Sequence, residues 1–433
     1  MLIERKRYLD KLINKKKNGR VKIITGIRRC GKSYLLFELF HQHLLQTGVN
    51  EEDIIEIGLD DMANIKYCNP FELDRHVREL TADTSHFYYV IMDEIQMVSS
   101  VQNPYVEGTD AKIGFVNVVL GLMKLKNVDL YISGSNSRML SSDILTEFKD
   151  RGTEIRVNPL TYSEFYSAYT GEKQKAWAEY YTYGGMPYIL SLEGHEEKSR
   201  YLKDLFSQTY LSDVVNRYKI HNETTVLEDL LNIVSSSTGS LTNTSRLSDT
   251  FKTVKKLKIK PETLDHYLDY FIDAFILSKA QRYDVKGKKY IETPVKYYFT
   301  DIGLRNARLN FRQIEENHIM ENIIYNELLV REFDVDIGVV QYNQKNSEGR
   351  SVRTQLEIDF VANKGSLRYY IQSALHIDNE EKRLQETNSL LRVKDSFKKI
   401  VVVKDAIVPW HDENGILYVG IEQFLLEETA MNL

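Results

Sequence analysis

The chain has 433 residues, of which 42% are hydrophobic and 27% are charged, a composition typical of a soluble globular protein with roughly three domains. The formal net charge of −5 gives no whole-protein argument for nucleic-acid binding, and the two cysteines, Cys30 and Cys68, exclude a disulfide framework and a cysteine-based zinc site. No run approaches about eighteen apolar residues and the N-terminus lacks an apolar signal segment, so the sequence predicts a cytoplasmic protein that does not enter the membrane.

The first functional pattern follows the first predicted strand. An apolar strand over 21–25 leads into G-x-x-x-x-G-K-S at 26–33 and then into a helix. Glycines let the backbone of such a loop wrap a polyphosphate, with its N–H groups and the helix N-terminus directed at the anion. Lys32 would supply a charge to the β- and γ-phosphates, and Ser33 a hydroxyl to Mg²⁺. The sequence therefore predicts a nucleoside-triphosphate site. The expected binding residues are Gly26, Ile27, Arg28, Arg29, Cys30, Gly31, Lys32, Ser33 and Tyr34.

A second apolar run ends in two carboxylates. Residues 87–92 are continuously apolar, as in a strand buried on both faces of a parallel sheet, and Asp93 and Glu94 follow directly. Asp93 is expected to hold Mg²⁺ directly or through water, with Ser33 as the other protein ligand. Glu94 is expected to polarise the attacking water. Lys32 and Glu94 are the first two predicted catalytic residues.

Further strands follow at helix-sized intervals. The strands cover 53–57, 128–134 and 154–157, and helical stretches such as 71–80 and 115–124 separate them. This alternation predicts an α/β domain with a parallel sheet and a ligand outside the carboxyl ends of the strands. The segment 133–137 would then lie beside the γ-phosphate, where Asn136 is predicted to sense the phosphate and Ser135 is the second choice. The alternative for this segment is a turn of small polar residues.

Eight short segments, spread over nearly the whole chain, form a specific combination. They are YLDKL at 8–12, TGIRRCGKS at 25–33, DEIQ at 93–96, SGSNS at 133–137, PLTYSEF at 159–165, YGGMP at 183–187, EIDFV at 357–361 and YIQ at 370–372. The combination resembles the AAA+ branch of P-loop ATPases and, more narrowly, a prokaryotic family that joins an AAA-type domain to a characteristic C-terminal domain of unknown function. The resemblance implies ATP as the nucleotide, whereas the residues alone indicate only a nucleoside triphosphate.

The resemblance also implies a candidate arginine finger. In AAA+ proteins a neighbouring subunit often inserts an arginine that lies just before the fifth strand, and Arg151 has this place here. The family tends to show Gly-Arg at this point, whereas this chain has Asp150 before Arg151, and the adjacent acid could pair with the guanidinium. Arg151 joins Lys32, Glu94 and Asn136 as a predicted catalytic residue, and its role would require a homo-oligomer. A solvated surface charge is the alternative.

Two further modules are predicted after the ATPase domain. A mostly helical region runs to about 220, includes the loop at 183–187 and is expected to form a lid over the nucleotide. Three helices and a β-hairpin then suggest a winged-helix module, a type that commonly binds DNA through its third helix. The helices are expected over 225–234, 243–252 and 262–273, and the hairpin strands over 275–282 and 295–299.

The charge of the third helix argues against that DNA contact. One face of this helix carries four acidic residues, and the helix contains no Lys or Arg. This face would repel the phosphates of DNA. These acids are Glu262, Asp265, Asp269 and Asp273. Basic residues lie instead in the preceding linker, at Lys255, Lys256, Lys258 and Lys260, and in the turn of the hairpin, the wing, at 286–289. We therefore favour a protein partner or a role in coupling to the ATPase, and leave DNA contact through the wing open.

The last segment, from about residue 301, resembles the PD-(D/E)xK nuclease fold. Such a site needs clustered carboxylates for Mg²⁺ and a lysine near the attacking water. Glu321 and Asp359 could supply two ligands and Gln372 a neutral one, but Ala374 stands where the lysine is expected. We therefore expect a scaffold domain that does not cleave nucleic acid.

Together these observations predict four domains, an AAA+ P-loop domain over 1–165, a helical lid over 166–220, a winged-helix-like module over 221–300 and a degenerate nuclease-like domain over 301–433. The predicted function is a Mg²⁺-dependent ATPase that acts as a nucleotide-driven switch on its C-terminal domains. One alternative is a weakly hydrolysing, nucleotide-gated regulator that binds DNA or protein, and another is an ATP-dependent nuclease.

Overall fold

The computed structural model describes residues 3–106, 111–134, 148, 151–220, 224–312, 315–345 and 350–433, with only the backbone described at 208 and 345. The predicted sensor Asn136 and its alternative Ser135 lie outside these ranges. The chain divides into two units, one formed by Met1–Pro159 with Asp273–Phe275 and the other by Leu160–Ile272 with Ile276–Leu433.

The first unit is built on a parallel sheet, and this confirms the fold predicted from the strand and helix alternation. Its strands, over the described residues, are β1 (Val21–Thr25), β2 (Ile54–Gly58), β3 (Tyr88–Asp93), β4 (Val128–Ser133) and β5 (Gly152–Arg156). They lie in the order β2-β3-β4-β1-β5, with every neighbouring pair parallel. All residues of β1 and β3 are buried, including Lys22 and Thr25 of β1, as expected for inner strands of a sheet covered on both faces.

Helices connect these strands. They are α1 (Lys6–Asn14), α2 (Lys32–Tyr34, continued by a π-helical segment Leu35–Phe40 and an α-helical segment His41–Gln46), α3 (Pro70–Leu80) and α4 (Phe115–Leu122). Helix α3 begins one residue before the predicted start at 71, because Asn69 accepts a hydrogen bond from the backbone of Phe71 and Pro70 takes the first helical position.

An ion pair is buried beside the first sheet. The side chain of Lys22 on β1 is 0% exposed and donates a hydrogen bond to Asp129 on β4. Asp129 also accepts from the hydroxyl of Tyr131 and from the backbone N–H of Lys17, each at 2.8 Å. Burial lowers the pKa of Lys22, and the hydrogen bond and charge of Asp129 oppose that shift.

The second unit begins with helices. They are α5 (Tyr162–Ala168), α6 (Ala176–Tyr183), α7 (Gly194–Asp204, continued by Leu205–Leu211 and Ser212–Tyr218), α8 (Thr224–Ser236), α9 (Thr244–Thr250, continued by Phe251–Lys255) and α10 (Pro261–Asp273). Helix α10 exposes the predicted acidic face, where Glu262, Asp265 and Asp269 all face solvent. None of the helices in the described part of the chain is long and apolar enough to cross a membrane.

A mixed sheet follows these helices. Its strands, among the described residues, are β6 (Leu277–Asp284), β7 (Lys289–Phe299), β8 (Asp334–Lys345), β9 (Ser351–Lys364), β10 (Leu367–Ala374), β11 (Lys398–Val403), β12 (Trp410–His411) and β13 (Leu417–Gly420). The strands lie in the order β12-β13-β11-β10-β9-β8-β6-β7. The remaining helices are α11 (Ile302–Arg308), α12 (Glu316–Val330), α13 (Glu380–Leu391) and α14 (Ile421–Leu426). Helices α12 and α14 contribute to the apolar core on one face of this sheet, and α13 to the core on the other.

The three helices and the hairpin of the expected winged-helix module are present as α8, α9, α10, β6 and β7. The hairpin strands, however, continue the sheet of the C-terminal segment, because β6 pairs with β8 in parallel. The hairpin is therefore part of one sheet with strands beyond residue 300. The four domain boundaries, the winged-helix assignment and the nuclease-like fold stay predictions.

The loop at 183–187 packs against the start of α11. Asp301 accepts hydrogen bonds from the backbone N–H of Gly185 at 2.6 Å and of Leu304 at 3.1 Å, so it caps α11 and ties the loop to it. Gly184 has φ of +75°, and a Cβ there would lie 2.3 Å from Asp301 Oδ1. Burial raises the pKa of Asp301 to about 6, while its backbone hydrogen bonds oppose the shift.

Candidate nucleotide-binding site

The glycine loop leaves the carboxyl end of β1 and enters α2. Gly26 and Gly31 have φ of +138° and +98°, in the region that favours glycine. A Cβ at Gly26 would lie 2.0 Å from the carbonyl oxygen of Val157, so the loop needs glycine there to pass this close to the next segment of backbone. Cys30 is fully buried behind the loop, and its thiol donates to the same carbonyl at 3.3 Å.

Lys32 lies folded over this loop. Its side chain is buried, and its ammonium donates to the carbonyl oxygens of Gly26 at 3.1 Å and Ile27 at 3.2 Å. These contacts hold a cation at the mouth of the loop. Phosphate oxygens would satisfy the ammonium better than neutral carbonyls, because hydrogen bonds between ionised partners are the stronger kind.

Ser33 and Asp93 meet at the end of the sheet. The hydroxyl of Ser33 donates to Asp93 Oδ2 at 2.5 Å, although 60 residues separate them in the chain. The hydroxyl of Ser133, the last residue of β4, contacts the other carboxylate oxygen. The sequence did not single out Ser133 as a partner of Asp93. The strand register could have revealed it, because Met92 pairs with Ile132 and the next residues along are Asp93 and Ser133.

Asp93 is 3% exposed, and its surroundings set its charge. Burial raises the pKa of Asp93 above its ordinary value, and the nearby Glu94 carboxylate raises it further. The hydrogen bond from Ser33 and the charge of Lys32 act in the opposite direction. A divalent cation bound at this carboxylate would lower the pKa of Asp93 and so favour its ionised form.

Glu94 follows Asp93 in a left-handed conformation. Its φ of +52° is uncommon for a residue with a side chain and turns the chain sharply after β3. The Glu94 side chain is half-buried and accepts a hydrogen bond from the amide of Gln96. Gln96 belongs to the segment that carried the family resemblance, but the sequence assigned it no contact with Glu94.

The remaining predicted residues lie at different depths. Arg28 and Arg29 are exposed on the loop, and Tyr34 is half-buried with its hydroxyl accepting from the backbone of Ile3 at 3.3 Å. Arg151 is exposed just before β5, and its carbonyl accepts from the first residue of β1. Of the predicted site residues, the structure brings Lys32, Ser33 and Asp93 together at the glycine loop.

The sequence did not identify a buried arginine behind the loop. Arg5 is 2% exposed and donates to the carbonyl of Cys30 at 3.4 Å and to that of Asn158 at 2.5 Å. Its guanidinium therefore joins the glycine loop to the segment after β5. An arginine so close to the N-terminus gave no local pattern from which this contact could be predicted.

The candidate ligands of the C-terminal segment lie elsewhere, in the second unit. Asp359 is buried and accepts from the backbone N–H of Ser373 at 2.8 Å, and its own N–H donates to Gln372 at 3.4 Å. Glu321 is bound by Lys296, a residue that the sequence did not single out. No group of three or more His, Cys, Asp or Glu side chains within the described ranges has an arrangement that could hold a metal ion.

Two family matches cover most of the chain. Residues 18–166 match the AAA domain family, and residues 174–315 match a domain of unknown function, DUF8612. An uncharacterized protein of Haemophilus influenzae is 30% identical over 406 residues, which cover 93% of each chain. This chain belongs to the same family as that protein. It carries an AAA-type ATPase domain followed by a domain of unknown function, and this confirms the coarser part of the resemblance.

Two further similar proteins have lower sequence identities to this chain. An uncharacterized protein of Methanocaldococcus jannaschii is 24% identical over 413 residues, which cover 91% of this chain and 83% of that protein. Among solved structures, a Walker-type ATPase of Pyrococcus abyssi is 15% identical, with a TM-score of 0.47, and the match covers 71% of this chain and 96% of that one.

Proposed function

We propose that the AAA domain of this chain binds ATP together with Mg²⁺ and hydrolyses it. The observation that carries the proposal is the hydrogen bond between Ser33 and Asp93, which joins a hydroxyl and a carboxylate at one point beside the glycine loop. Both groups are oxygen ligands of the kind that Mg²⁺ takes beside substrate phosphates. When bound there, Mg²⁺ would neutralise phosphate charge in the transition state.

Each residue has a proposed role. The ammonium of Lys32 leaves the loop carbonyl oxygens and binds oxygens of the β- and γ-phosphates. The backbone N–H groups of 26–34 bind the remaining phosphate oxygens. Ser33 and Asp93 hold Mg²⁺. Glu94 takes a proton from the attacking water as the bond between the γ-phosphorus and the oxygen of ADP breaks.

Three further roles belong to the same proposal. Asn136 senses the γ-phosphate, and Arg151 acts on the site of a neighbouring copy in a homo-oligomer. The nucleotide state is passed to the second unit, which contacts a protein partner. The exposed acids of α10 support a protein over DNA as that partner, because they would repel phosphates.

The test is ATP binding measured by titration calorimetry with Mg²⁺ present. Lys32→Ala is expected to weaken ATP binding at least about a hundredfold, because it removes a charge-assisted contact to the phosphates. Lys124→Ala is the matched control, since Lys124 is exposed on the same unit. Equal affinities of wild type and Lys32→Ala would contradict the proposed site.

A second candidate function is a nucleotide-gated binding protein that hardly hydrolyses ATP. The hydrogen bond from Gln96 to Glu94 favours it, because this contact engages the carboxylate proposed as the base. Under this alternative, wild type binds ATP but releases phosphate no faster than Glu94→Gln. Gln96→Ala would remove the hydrogen bond to the Glu94 carboxylate and should then raise the rate of phosphate release.

A further inference from the structure

Lys296 is a buried lysine in the middle of β7. Its side chain is 4% exposed, and its ammonium lies 2.8 Å from Glu321 Oε1 and 2.7 Å from Glu357 Oε1. These carboxylates come from different elements, Glu321 from α12 and Glu357 from β9. A single ammonium therefore bridges a helix and a strand inside the second unit.

A third carboxylate and a phenol complete the surroundings of this ammonium. Asp359 is 7% exposed and lies on β9 two residues after Glu357. The hydroxyl of Tyr298 donates to the same Glu321 oxygen that binds Lys296, at 2.6 Å. We call Lys296, Glu321, Glu357 and Asp359 the lysine–carboxylate cluster.

The charges of this cluster need a cation. Carboxylates taken out of water repel one another and lose hydration, and they persist only when a positive charge and hydrogen bonds offset that cost. In many proteins a divalent cation takes this place, with carboxylate oxygens from several elements around it. Here the ammonium of Lys296 lies between two such carboxylates at hydrogen-bond distance.

We propose that Lys296 is the resident cation of the lysine–carboxylate cluster, and that its ammonium fills the position between Glu321 and Glu357 which a divalent cation would otherwise occupy. Because the ammonium is attached to the chain, it cannot be exchanged for Mg²⁺ or Mn²⁺. The cluster is then an ion-paired site closed to divalent cations, and it stabilises the packing of β7 against α12 and β9. This inference is independent of ATP binding by the AAA domain.

The test is Mn²⁺ binding to the full chain without nucleotide, measured from the electron paramagnetic resonance signal of free Mn²⁺. All variants carry Asp93→Asn, which removes the proposed cation ligand of the AAA domain. With Lys296 present, no Mn²⁺ is expected to bind at the cluster. Lys296→Ala is expected to gain a Mn²⁺ site that Lys296→Ala with Asp359→Asn lacks. Lys279→Ala, which removes an exposed lysine of the neighbouring strand, is the matched control and should gain nothing.

Thermal unfolding without metal ions is a second measurement. It still tests the proposal if Lys296→Ala folds too poorly for the Mn²⁺ measurement. Lys296→Met should melt at least about 5 °C lower than wild type, because it leaves carboxylates buried without a counter-ion. Adding Glu321→Gln and Glu357→Gln to Lys296→Met should recover most of that loss.

Four results would overturn the proposal. The first is Mn²⁺ bound in the presence of Lys296 and lost on Asp359→Asn. The second is a Lys296→Ala variant that folds but gains no Mn²⁺ site. The third is a Lys296→Met variant that has the melting temperature of wild type, or whose lowered melting temperature is not raised by the two Gln substitutions. The fourth is divalent-cation-dependent DNA cleavage that Lys296→Ala abolishes, since this would make the lysine part of an active centre.

Discussion

Ser33 and Asp93 are joined across the sheet, since their hydrogen bond of 2.5 Å links elements whose strands are not neighbours. Ser33 follows β1 and Asp93 ends β3, and β4 lies between these two strands. Ser133, at the end of the intervening strand β4, contacts the same carboxylate. Two hydroxyl groups therefore hold Asp93 in place beside the glycine loop.

Ser133→Ala should weaken the proposed use of Mg²⁺. The substitution removes one of the two hydroxyl groups that orient Asp93, and loss of such a supporting contact typically costs at least about tenfold in metal affinity. We expect the Mg²⁺ concentration for half-maximal ATP turnover to rise by about that factor. Ser167→Ala, at an exposed position of α5, should leave it unchanged. An unchanged Mg²⁺ dependence in Ser133→Ala would show that Ser133 does not position the ligand.

Asp301 should make stability depend on pH in a defined direction. Its pKa is raised from 3.8 to about 6 in the folded protein, so the folded state binds the proton more tightly than the unfolded state. Stability therefore falls as pH rises from about 4 to about 6, by roughly 3 kcal/mol at most. Asp301→Asn should flatten this part of the curve when unfolding by urea is measured at several pH values. A fall in stability that is as steep in Asp301→Asn as in wild type would mean that another group causes the dependence.

The buried pair of Lys22 and Asp129 should be costly to break but replaceable as a whole. Asp129→Asn leaves the ammonium of Lys22 buried without a counter-charge and should lower the free energy of unfolding by about 3–5 kcal/mol. Lys22→Met combined with Asp129→Leu should recover part of that loss, because it removes both charges but leaves the Tyr131 hydroxyl and the Lys17 N–H without their acceptor. Asp10→Asn, which breaks the exposed pair of Lys6 and Asp10, is the control and should leave the midpoint of unfolding by urea unchanged. A double variant no more stable than Asp129→Asn would contradict this account.

The sequence predicted the first unit well because its signals are local. The strand before the carboxylates is a continuous apolar run, and the glycine loop and the carboxylates at 93–94 stand directly at strand ends, where parallel strands bring side chains together. The meeting of Ser33 with Asp93 follows from that geometry. The placement of Ser133 depends on strand order, which no local pattern contains.

The second unit shows where local patterns fail. The three helices and the hairpin were visible in the sequence, but the pairing of β6 with β8 was not, because it joins segments separated by two helices and another strand. Lys296 was not singled out for the same reason. Its partner Glu321 is 25 residues away, and the lysine occurs in a strand with no motif around it. The sequence has Ala374 where a lysine is expected after Gln372, whereas the ammonium beside the carboxylates belongs to Lys296 on another strand.

We propose that this AAA domain hydrolyses ATP with Glu94 as the base. The most direct measurement is Mg²⁺-dependent phosphate release from ATP, for wild type and Glu94→Gln, over a wide range of protein concentration, with Glu79→Gln on the exposed face of α3 as the control. We predict that wild type and Glu79→Gln release phosphate at the same rate. Glu94→Gln should bind ATP as well but turn over at least about a hundredfold more slowly. A specific activity that rises with protein concentration would further support Arg151 acting between copies. Equal rates for wild type and Glu94→Gln would contradict the claim.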